Sequence, residues 1–247
     1  MRLLLGSGGF RTDERVALLA AQMRDHFGDV AKILFVPYAL ADHDGYVQMM
    51  TERGLNAGYA LDGIHTHADP AAAVERAEAL YVGGGNTFRL VDELHRRDLL
   101  EPIRARVRAG MPYMGVSAGS NVACPTLKTT NDMPIVMPPS FETLGLVPFQ
   151  INPHYFCGTN FVKRDDDLHE HFGETRDDRL REFHEMNDTP VVGLWEGGIL
   201  RVDAGRIRLI GAPARVFRRG HQPVDIDPPA DLSAHLSAAA QGPGNAI

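Results

Sequence analysis

Apolar residues in the first half of the chain fall into short runs, separated by stretches with helical spacing. The runs occupy residues 3–5, 33–36, 79–82 and 113–116. Between the first two runs, Val16, Leu19 and Met23 recur at intervals that place them on one face of a helix. Runs that are apolar at nearly every position are typical of parallel strands covered by helices on both faces. The pattern therefore predicts an α/β fold with a doubly wound, mostly parallel sheet flanked by helices.

The pattern changes in the second half of the chain. Residues 124–148 contain five prolines, too many for a regular helix. Residues 149–152 are predicted to form a further strand, and residues 157–176 a polar, charged loop. Short apolar runs between glycine turns then predict hairpins that add an antiparallel edge to the sheet, at residues 191–194, 199–202, 207–210 and 215–217. We expect a single domain over residues 1–220 and a loosely structured extension over residues 221–247.

Composition narrows the classes of function. The 247 residues carry a formal net charge of −7 and are 44% hydrophobic, which is typical of a folded globular protein. A net acidic chain is a poor ligand for phosphate backbones, so we expect no nucleic-acid partner. No apolar stretch approaches the roughly 18 residues that span a bilayer, so we expect no membrane partner.

The cysteines and acidic residues give no sign of a metal site. The two cysteines form neither a disulfide framework nor a zinc pattern, which predicts a reducing, cytoplasmic location. Residues 165–171 combine acidic side chains with two histidines. A solvated acidic loop is the preferred interpretation of this segment, rather than a metal centre.

A glycine-flanked serine stands at the end of a predicted strand. The motif G-x-S-x-G at residues 115–119 is the pattern of a nucleophile elbow, the sharp strand-to-helix turn that lifts the hydroxyl of Ser117 clear of the sheet. A serine hydroxyl needs a base, and His154, which follows a predicted strand, is the candidate. An acid must in turn fix the tautomer of that histidine. Asp132 and Glu196 are both candidates for this role.

A second glycine-rich turn has the sequence GGGNT at residues 83–87 and follows another predicted strand. One interpretation is a phosphate cradle, but the segment lacks the lysine of a P-loop. The other is an oxyanion hole, in which the backbone N–H of Gly84 or Gly85 joins that of Ala118, the residue after the nucleophile. We prefer the oxyanion hole, because a nucleophile is present and a phosphate-binding lysine is not.

Five segments in chain order resemble the peptidase E family of α-aspartyl dipeptidases. They are GGGNTF at 83–88, GVSAGSN at 115–121, TTNDMPIV at 129–136, INPH at 151–154 and GETR at 173–176. The resemblance extends from the first strand to about Phe217, although the stretch 156–172 is longer and more acidic than the family's usual loop. It implies a flavodoxin-like fold related to class I glutamine amidotransferases. It also implies hydrolysis of dipeptides that begin with aspartate, without metal or other cofactor.

The resemblance implies roles for individual residues. Ser117 matches the family's nucleophile, His154 its base and Asp132 its third triad member. Glu196 matches a glutamate near the family's site, and we expect it to bind the α-ammonium group of the substrate. Arg176 matches the partner of the substrate's aspartyl carboxylate, a task that suits the two-pronged guanidinium group.

Two alternatives to this function stay open. A related exopeptidase would act on another aspartyl linkage, such as the β-linked aspartyl-arginine of cyanophycin. The same fold would also serve as a non-catalytic ligand-binding module, although a chain that has lost catalysis is not expected to keep Ser117, His154 and Asp132 together. Asn86, beside the glycine turn, is a further residue expected to bind substrate. A homodimer is the working expectation for the assembly.

Overall fold

The computed structural model describes residues 1–158, 160–165 and 167–236. Its strands are β1 (Arg2–Gly6), β2 (Lys32–Val36), β3 (Ala60–Gly63), β4 (Leu80–Val82), β5 (Tyr113–Val116), β6 (Gln150–Tyr155), β7 (Asn160–Arg164), β8 (Asp167–His171), β9 (Val191–Trp195), β10 (Ile199–Asp203), β11 (Arg206–Ile210), β12 (Ala214–Phe217), β13 (Val224–Ile226) and β14 (Ala230–Asp231). Its helices are α1 (Asp13–Phe27), α2 (His43–Glu52), α3 (Pro70–Arg76), α4 (Thr87–Arg96), α5 (Leu100–Arg108), α6 (Ala118–Asn121), α7 (Arg176–Met186) and α8 (Ser233–Leu236).

The main sheet has eight strands in the order β14-β11-β10-β1-β5-β4-β2-β3. The strands from β1 to β3 in this order are mutually parallel. On the other side of β1, the strands β10, β11 and β14 extend the sheet as antiparallel neighbours. This arrangement confirms the predicted α/β fold with a mostly parallel sheet and an antiparallel edge.

Two clusters of buried side chains cover the two faces of the main sheet. On one face, α1 and α2 contribute Leu19 and Met50. On the other face, α3, α4 and α5 contribute Val74, Leu90 and Ile103. Each of α1, α2, α3, α4 and α7 begins after a residue whose side chain accepts a hydrogen bond from the first turn, which satisfies a backbone N–H that the helix leaves without a partner. These N-cap residues are Thr12, Asp42, Asp69, Asn86 and Thr175.

A second sheet of four strands has the order β13-β12-β9-β6. The strands β6 and β9 are parallel neighbours, so their carboxyl ends lie side by side. The sequence predicted β9 and β12 as part of the antiparallel edge of the main sheet, and this prediction was wrong. The apolar pattern of a strand shows which of its positions are buried, but it does not show which strands pair with it.

Two segments that we expected to lack regular structure contain strands. Within residues 157–176, β7 and β8 form a two-stranded hairpin that leaves Phe161 and Leu168 exposed. Beyond residue 220, β13 pairs with β12 and β14 with β11, and Leu232 and Leu236 are buried. The rest of the expected extension, residues 237–247, lies outside the described residues. None of the described helices has both the length and the apolar character that crossing a membrane requires.

Candidate active site

Ser117 occupies the turn between β5 and α6, at the carboxyl end of the parallel strands. Its backbone has φ 55° and ψ −113°, a strained combination for a residue with a side chain. The turn is tight, since a Cβ atom added to Gly119 would lie 2.1 Å from the carbonyl oxygen of Val82. The backbone N–H of Ser117 donates to the carbonyl of Gly6 at 2.9 Å and so ties the turn to β1. The structure thus contains the sharp strand-to-helix turn that the G-x-S-x-G motif predicts.

His154 reaches Ser117 from the second sheet. Its Nε2 lies 2.7 Å from Ser117 Oγ, and its Nδ1 lies 2.8 Å from Glu196 Oε1. Neighbouring parallel strands place the two residues, since His154 lies in β6 and Glu196 directly follows β9. The pairing of these strands is irregular between Asn152 and Tyr155, where His154 has φ 53°. The result is a continuous hydrogen-bonded chain from serine to histidine to glutamate.

Glu196 is held in its charged form. The hydrogen bond from His154 lowers the pKa of the Glu196 carboxyl, burial opposes this, and the positive charges of Arg15 and Arg11 lower the pKa further. A carboxyl with a lowered pKa stays ionised at neutral pH. An ionised Glu196 favours the tautomer with the proton on Nδ1, which leaves Nε2 free to accept the proton of Ser117.

Asp132 does not contact His154. Its Oδ2 accepts hydrogen bonds from the Thr87 backbone N–H at 2.7 Å, from the Thr87 hydroxyl at 2.6 Å and from the Thr130 hydroxyl at 3.0 Å. Thr87 is the first residue of α4, so the carboxylate satisfies an N–H at the positive end of that helix. The contact expected from the resemblance is therefore corrected: the structure brings Glu196, not Asp132, to Nδ1 of His154. Asp132 still lines the cavity beside the nucleophile, and these three bonds leave its Oδ1 unused.

The glycine turn after β4 lies against the nucleophile. A Cβ atom added to Gly84 would lie 3.1 Å from Ser117 Cβ. The N–H of Gly84 faces the oxygen of Tyr46, whose pKa is raised to about 12 by burial, so the phenol stays protonated. The hydrogen bonds among the described residues include none donated by the N–H of Gly85 or Ala118. Of the expected oxyanion donors, these two are therefore the ones with a free N–H.

Arg176 is the first residue of α7 and lines a cavity of about 270 Å³ together with His154 and Arg179. Burial lowers the pKa of the Arg176 guanidinium, the charge of Arg179 lowers it further, and the charge of Asp132 opposes both. Within the described part of the chain, the guanidinium makes no hydrogen bond or ion pair. A half-buried cation without a partner is suited to bind an anionic group.

Asn86 is occupied within the protein. Its side-chain nitrogen donates to the Met133 carbonyl at 2.9 Å, and its side-chain oxygen accepts from the Arg89 N–H at 3.0 Å. It therefore caps α4 and holds the neighbouring loop. The nitrogen and the oxygen of its side-chain amide thus both have partners within the protein.

The family model for peptidase family S51 matches residues 2–210. The chain belongs to peptidase family S51. A peptidase E of Streptomyces coelicolor is 53% identical over 207 residues, which cover 83% of this chain and 82% of that protein. A probable alpha-aspartyl dipeptidase of Drosophila melanogaster is 42% identical over 235 residues, which cover 94% of this chain and 95% of that protein. These relatives confirm the resemblance to the peptidase E family.

Two solved structures share the fold of this S51 chain. A putative peptidase E from Listeria monocytogenes has a TM-score of 0.58 at 20% identity, covering 92% of this chain and 98% of that one. A peptidase from an acI-B1 Actinobacterium has a TM-score of 0.60 at 17% identity, covering 92% of this chain and 96% of that one. At these identities the likeness supports the fold alone.

The glycine turn after β1 is the part of the S51 site that the sequence pattern did not reveal. Ser7 Oγ accepts from the backbone N–H of His154 at 2.8 Å and donates to a backbone carbonyl of β9 at 2.8 Å. A Cβ atom on Gly8 would lie 2.5 Å from His154 Cε1, and one on Gly9 would lie 2.2 Å from Glu196 Oε2. The available signal was a glycine pair directly after a parallel strand, at the edge of the sheet where ligands bind.

Residues 167–171 of the acidic segment 165–171 form the second strand of the exposed hairpin. Part of it lies outside the described residues. Within the described residues, no three His, Cys, Asp or Glu side chains converge in a way that could hold a metal ion.

Proposed function

We propose that this S51 chain is a serine peptidase that hydrolyses dipeptides with N-terminal aspartate. The observation that carries the proposal is the hydrogen-bonded chain from Ser117 through His154 to Glu196. It supplies the nucleophile, the base and the orienting acid that acyl transfer requires. The names of the relatives support the substrate, since several are peptidase E and the Drosophila protein is a probable alpha-aspartyl dipeptidase.

In the proposed reaction, His154 Nε2 accepts the hydroxyl proton of Ser117 while Ser117 Oγ attacks the carbonyl carbon of the aspartyl residue. The carbon–nitrogen bond then breaks, and His154 transfers the proton to the leaving amine. A water molecule attacks the aspartyl ester with His154 as base, which releases aspartate and restores the serine. Glu196 keeps its hydrogen bond to Nδ1 and stabilises the imidazolium that forms in each step.

The tetrahedral intermediates carry a negatively charged oxygen that needs hydrogen-bond donors. We assign this role to the N–H groups of Ala118 and Gly85, which have no acceptor among the described residues. Gly84 contributes space rather than a donor, since its N–H faces the Tyr46 oxygen. Loss of one such donor typically raises the barrier by about 3–4 kcal/mol.

Two charged side chains match the two charges of an N-terminal aspartyl residue. Arg176 offers an unpaired guanidinium for the β-carboxylate. Asp132 offers its unused Oδ1 for the α-ammonium group, the role expected at first for Glu196. Glu196 bonds His154 through Oε1, and its Oε2 is buried without a partner within the described residues and is not accessible to a substrate. The charges of Arg176 and Asp132 influence each other, which supports their placement at the same end of the site.

Hydrolysis of Asp-Leu tests the proposal, with Leu-Leu, Glu-Leu and β-Asp-Leu as parallel substrates. We expect cleavage of Asp-Leu only, unaffected by EDTA and abolished by Ser117→Ala. Preferential cleavage of the β-linked substrate would support the exopeptidase on another aspartyl linkage instead. Cleavage of none of the four would refute the peptidase, and cleavage that survives Ser117→Ala would show that another residue is the nucleophile.

Arg176→Gln tests the recognition of aspartate. We expect kcat/KM for Asp-Leu to fall about 10-fold to 150-fold, because a hydrogen bond to a charged group contributes about 1.5–3 kcal/mol. Arg179→Gln is the matched control, since Arg179 lines the same cavity but is paired with Glu174 at 2.6 Å. Equal losses in the two variants, or no loss in either, would contradict the role of Arg176.

Two further parts of the proposal concern assembly and location. A cytoplasmic location is supported by Cys124 and Cys157, which are both free thiols. A homodimer is expected, and light scattering after size-exclusion chromatography tests it. The expected mass is twice the 27.1 kDa of one chain.

A further inference from the structure

A second cavity, of about 420 Å³, opens beside Ser117 and His154. Arg176 does not line it, and His154 is the lining residue that it shares with the cavity of about 270 Å³. The two cavities therefore meet at the histidine that passes the proton from the nucleophile to the leaving group. Ser117 lines the second cavity, so a substrate whose scissile bond lies at Ser117 is bound next to both cavities.

The walls of the second cavity combine apolar side chains with the polar side chains of Ser117, Asp132 and His154. Most of the apolar part of the wall lies apart from these catalytic residues in the sequence. It comes from the turn after β1, from α1 and α2, and from the segment that follows α2. The apolar side chains are Phe10, Leu19, Met49, Met50 and Leu55. Several of them are almost fully buried parts of the core on that face of the sheet, so the pocket is formed before any ligand binds. Leucine and methionine walls fit a large apolar side chain.

Two positive charges stand at the same cavity. Arg11 and Arg53 line it, and both side chains are exposed. The Nη1 atom of Arg53 approaches the sulfur of Met49 at 4.0 Å, and among the described residues neither arginine is paired with a carboxylate. The charge of Arg11 reaches Glu196 and lowers the pKa of its carboxyl, which places Arg11 close to the catalytic chain. Apolar side chains beside two guanidinium groups without carboxylate partners in the described part of the chain match an amino acid with an apolar side chain and a free carboxylate.

We propose that this cavity is the subsite for the leaving residue, that it selects a large apolar side chain, and that Arg11 and Arg53 bind the free α-carboxylate of that residue. The inference rests on the proposed function, which places the aspartyl residue beside Arg176. The amide nitrogen must lie at His154 to receive its proton, so the leaving residue extends into the part of the other cavity that Phe10, Met49 and Leu55 line. Asp132 also lines that cavity and binds the α-ammonium group of the aspartyl residue. The substrate class is then a dipeptide Asp-X with a free C-terminus, in which X is leucine, methionine or phenylalanine.

A series of substrates and one double variant test the subsite. We expect kcat/KM for Asp-Leu to exceed that for Asp-Gly and for Asp-Leu amide by at least about tenfold, because buried methylenes and a charged hydrogen bond each contribute a factor of this size. The variant Arg11→Gln/Arg53→Gln should lower kcat/KM for Asp-Leu about 10-fold to 100-fold more than that for Asp-Leu amide, so that the preference for the free carboxylate is lost. Any effect of the Arg11 charge on Glu196 changes both substrates alike and cancels in this ratio. Arg24→Gln is the matched control, since Arg24 is an exposed arginine in the last turn of α1 that does not line the cavity. It should change neither value.

Binding of free L-leucine, leucinamide and glycine, measured by saturation-transfer NMR, separates this inference from the proposed function. If no Asp-X dipeptide is hydrolysed but L-leucine binds and the double variant loses it, the subsite stands and the proposed function falls. If Asp-Leu, Asp-Gly and Asp-Leu amide are hydrolysed equally well, the subsite falls and the proposed function stands. Leucine binding that is absent, or that is unaffected by the double substitution, also overturns the subsite.

Discussion

Glu196→Gln is the substitution that most directly tests the catalytic chain. It replaces a carboxylate by an amide of nearly the same size, so the packing is kept while the charge beside His154 is removed. In the native protein Glu196 Oε1 lies 2.8 Å from His154 Nδ1. A glutamine that turns its N–H toward Nδ1 also favours the wrong tautomer of the histidine. We therefore expect a lower kcat with little change in KM.

The magnitude follows from the distance and the exposure of the pair. Opposite unit charges about 4 Å apart attract by ~4 kcal/mol at an effective dielectric constant of ~20. The side chains of His154 and Glu196 are 38% and 44% exposed, so water screens part of this attraction. An effective dielectric constant of ~40 halves the value to ~2 kcal/mol. Since ~1.4 kcal/mol corresponds to one decade in rate, the screened attraction of ~2 kcal/mol predicts that kcat falls about 30-fold.

The assay measures kcat and KM for Asp-Leu at neutral pH, with thermal unfolding as a check on the fold. Asp132→Asn is the paired variant, and it should mainly raise KM, because Asp132 is assigned to the substrate's α-ammonium group. It should also lower the melting temperature, because it weakens the hydrogen bonds at the start of α4. A Glu196→Gln enzyme with nearly native kcat, beside an Asp132→Asn enzyme that has lost turnover at unchanged KM, would refute the reasoning and return Asp132 to the triad.

Two further predictions concern the site and the core. Gly9→Ala should lower kcat, because the added Cβ would lie 2.2 Å from Glu196 Oε2. Gly54→Ala is the control and should leave kcat unchanged, because Gly54 has a similar positive φ but no atom within 4 Å of an added Cβ. Equal effects of the two substitutions on kcat would contradict the clash. Burial lowers the pKa of His26 from 6.5 to about 4, so the stability that neutral His26 confers is complete above pH 6.5 and is lost as the pH falls toward 4. The loss reaches ~3 kcal/mol in urea unfolding. His26→Gln should flatten this part of the pH profile, and an unchanged slope would refute the assignment.

The central sheet and the elbow could be predicted from short segments of the chain. The apolar runs at residues 33–36 and 79–82 lie within or beside the strands Lys32–Val36 and Leu80–Val82. A strand covered on both faces is apolar throughout whatever its distant neighbours are, so its pattern is local. The turn at Ser117 can also be predicted from neighbouring residues alone, because the flanking glycines permit the close packing that the turn requires.

The strands of the second half were harder to place. The hairpin of β7 and β8 has exposed faces and charged residues, so it shows no apolar run. The pairing of β6 with β9 joins segments that lie far apart in the sequence. A strand's own residues mark which of its faces is buried and not which strand lies beside it.

The choice between Asp132 and Glu196 also depends on which distant segments lie side by side, which the local sequence does not show. The sequence predicted Ser117 on a sharp turn, His154 after a strand and two carboxylates as candidate partners. Asp132 lies closer along the chain, but its Oδ2 is held by Thr87 at the start of α4. Glu196 is 42 residues from His154 and reaches Nδ1 because β6 and β9 are parallel neighbours whose carboxyl ends coincide. Hydrogen bonds act over about 3 Å, so the partner of a histidine follows from sheet order in three dimensions rather than from spacing in the sequence.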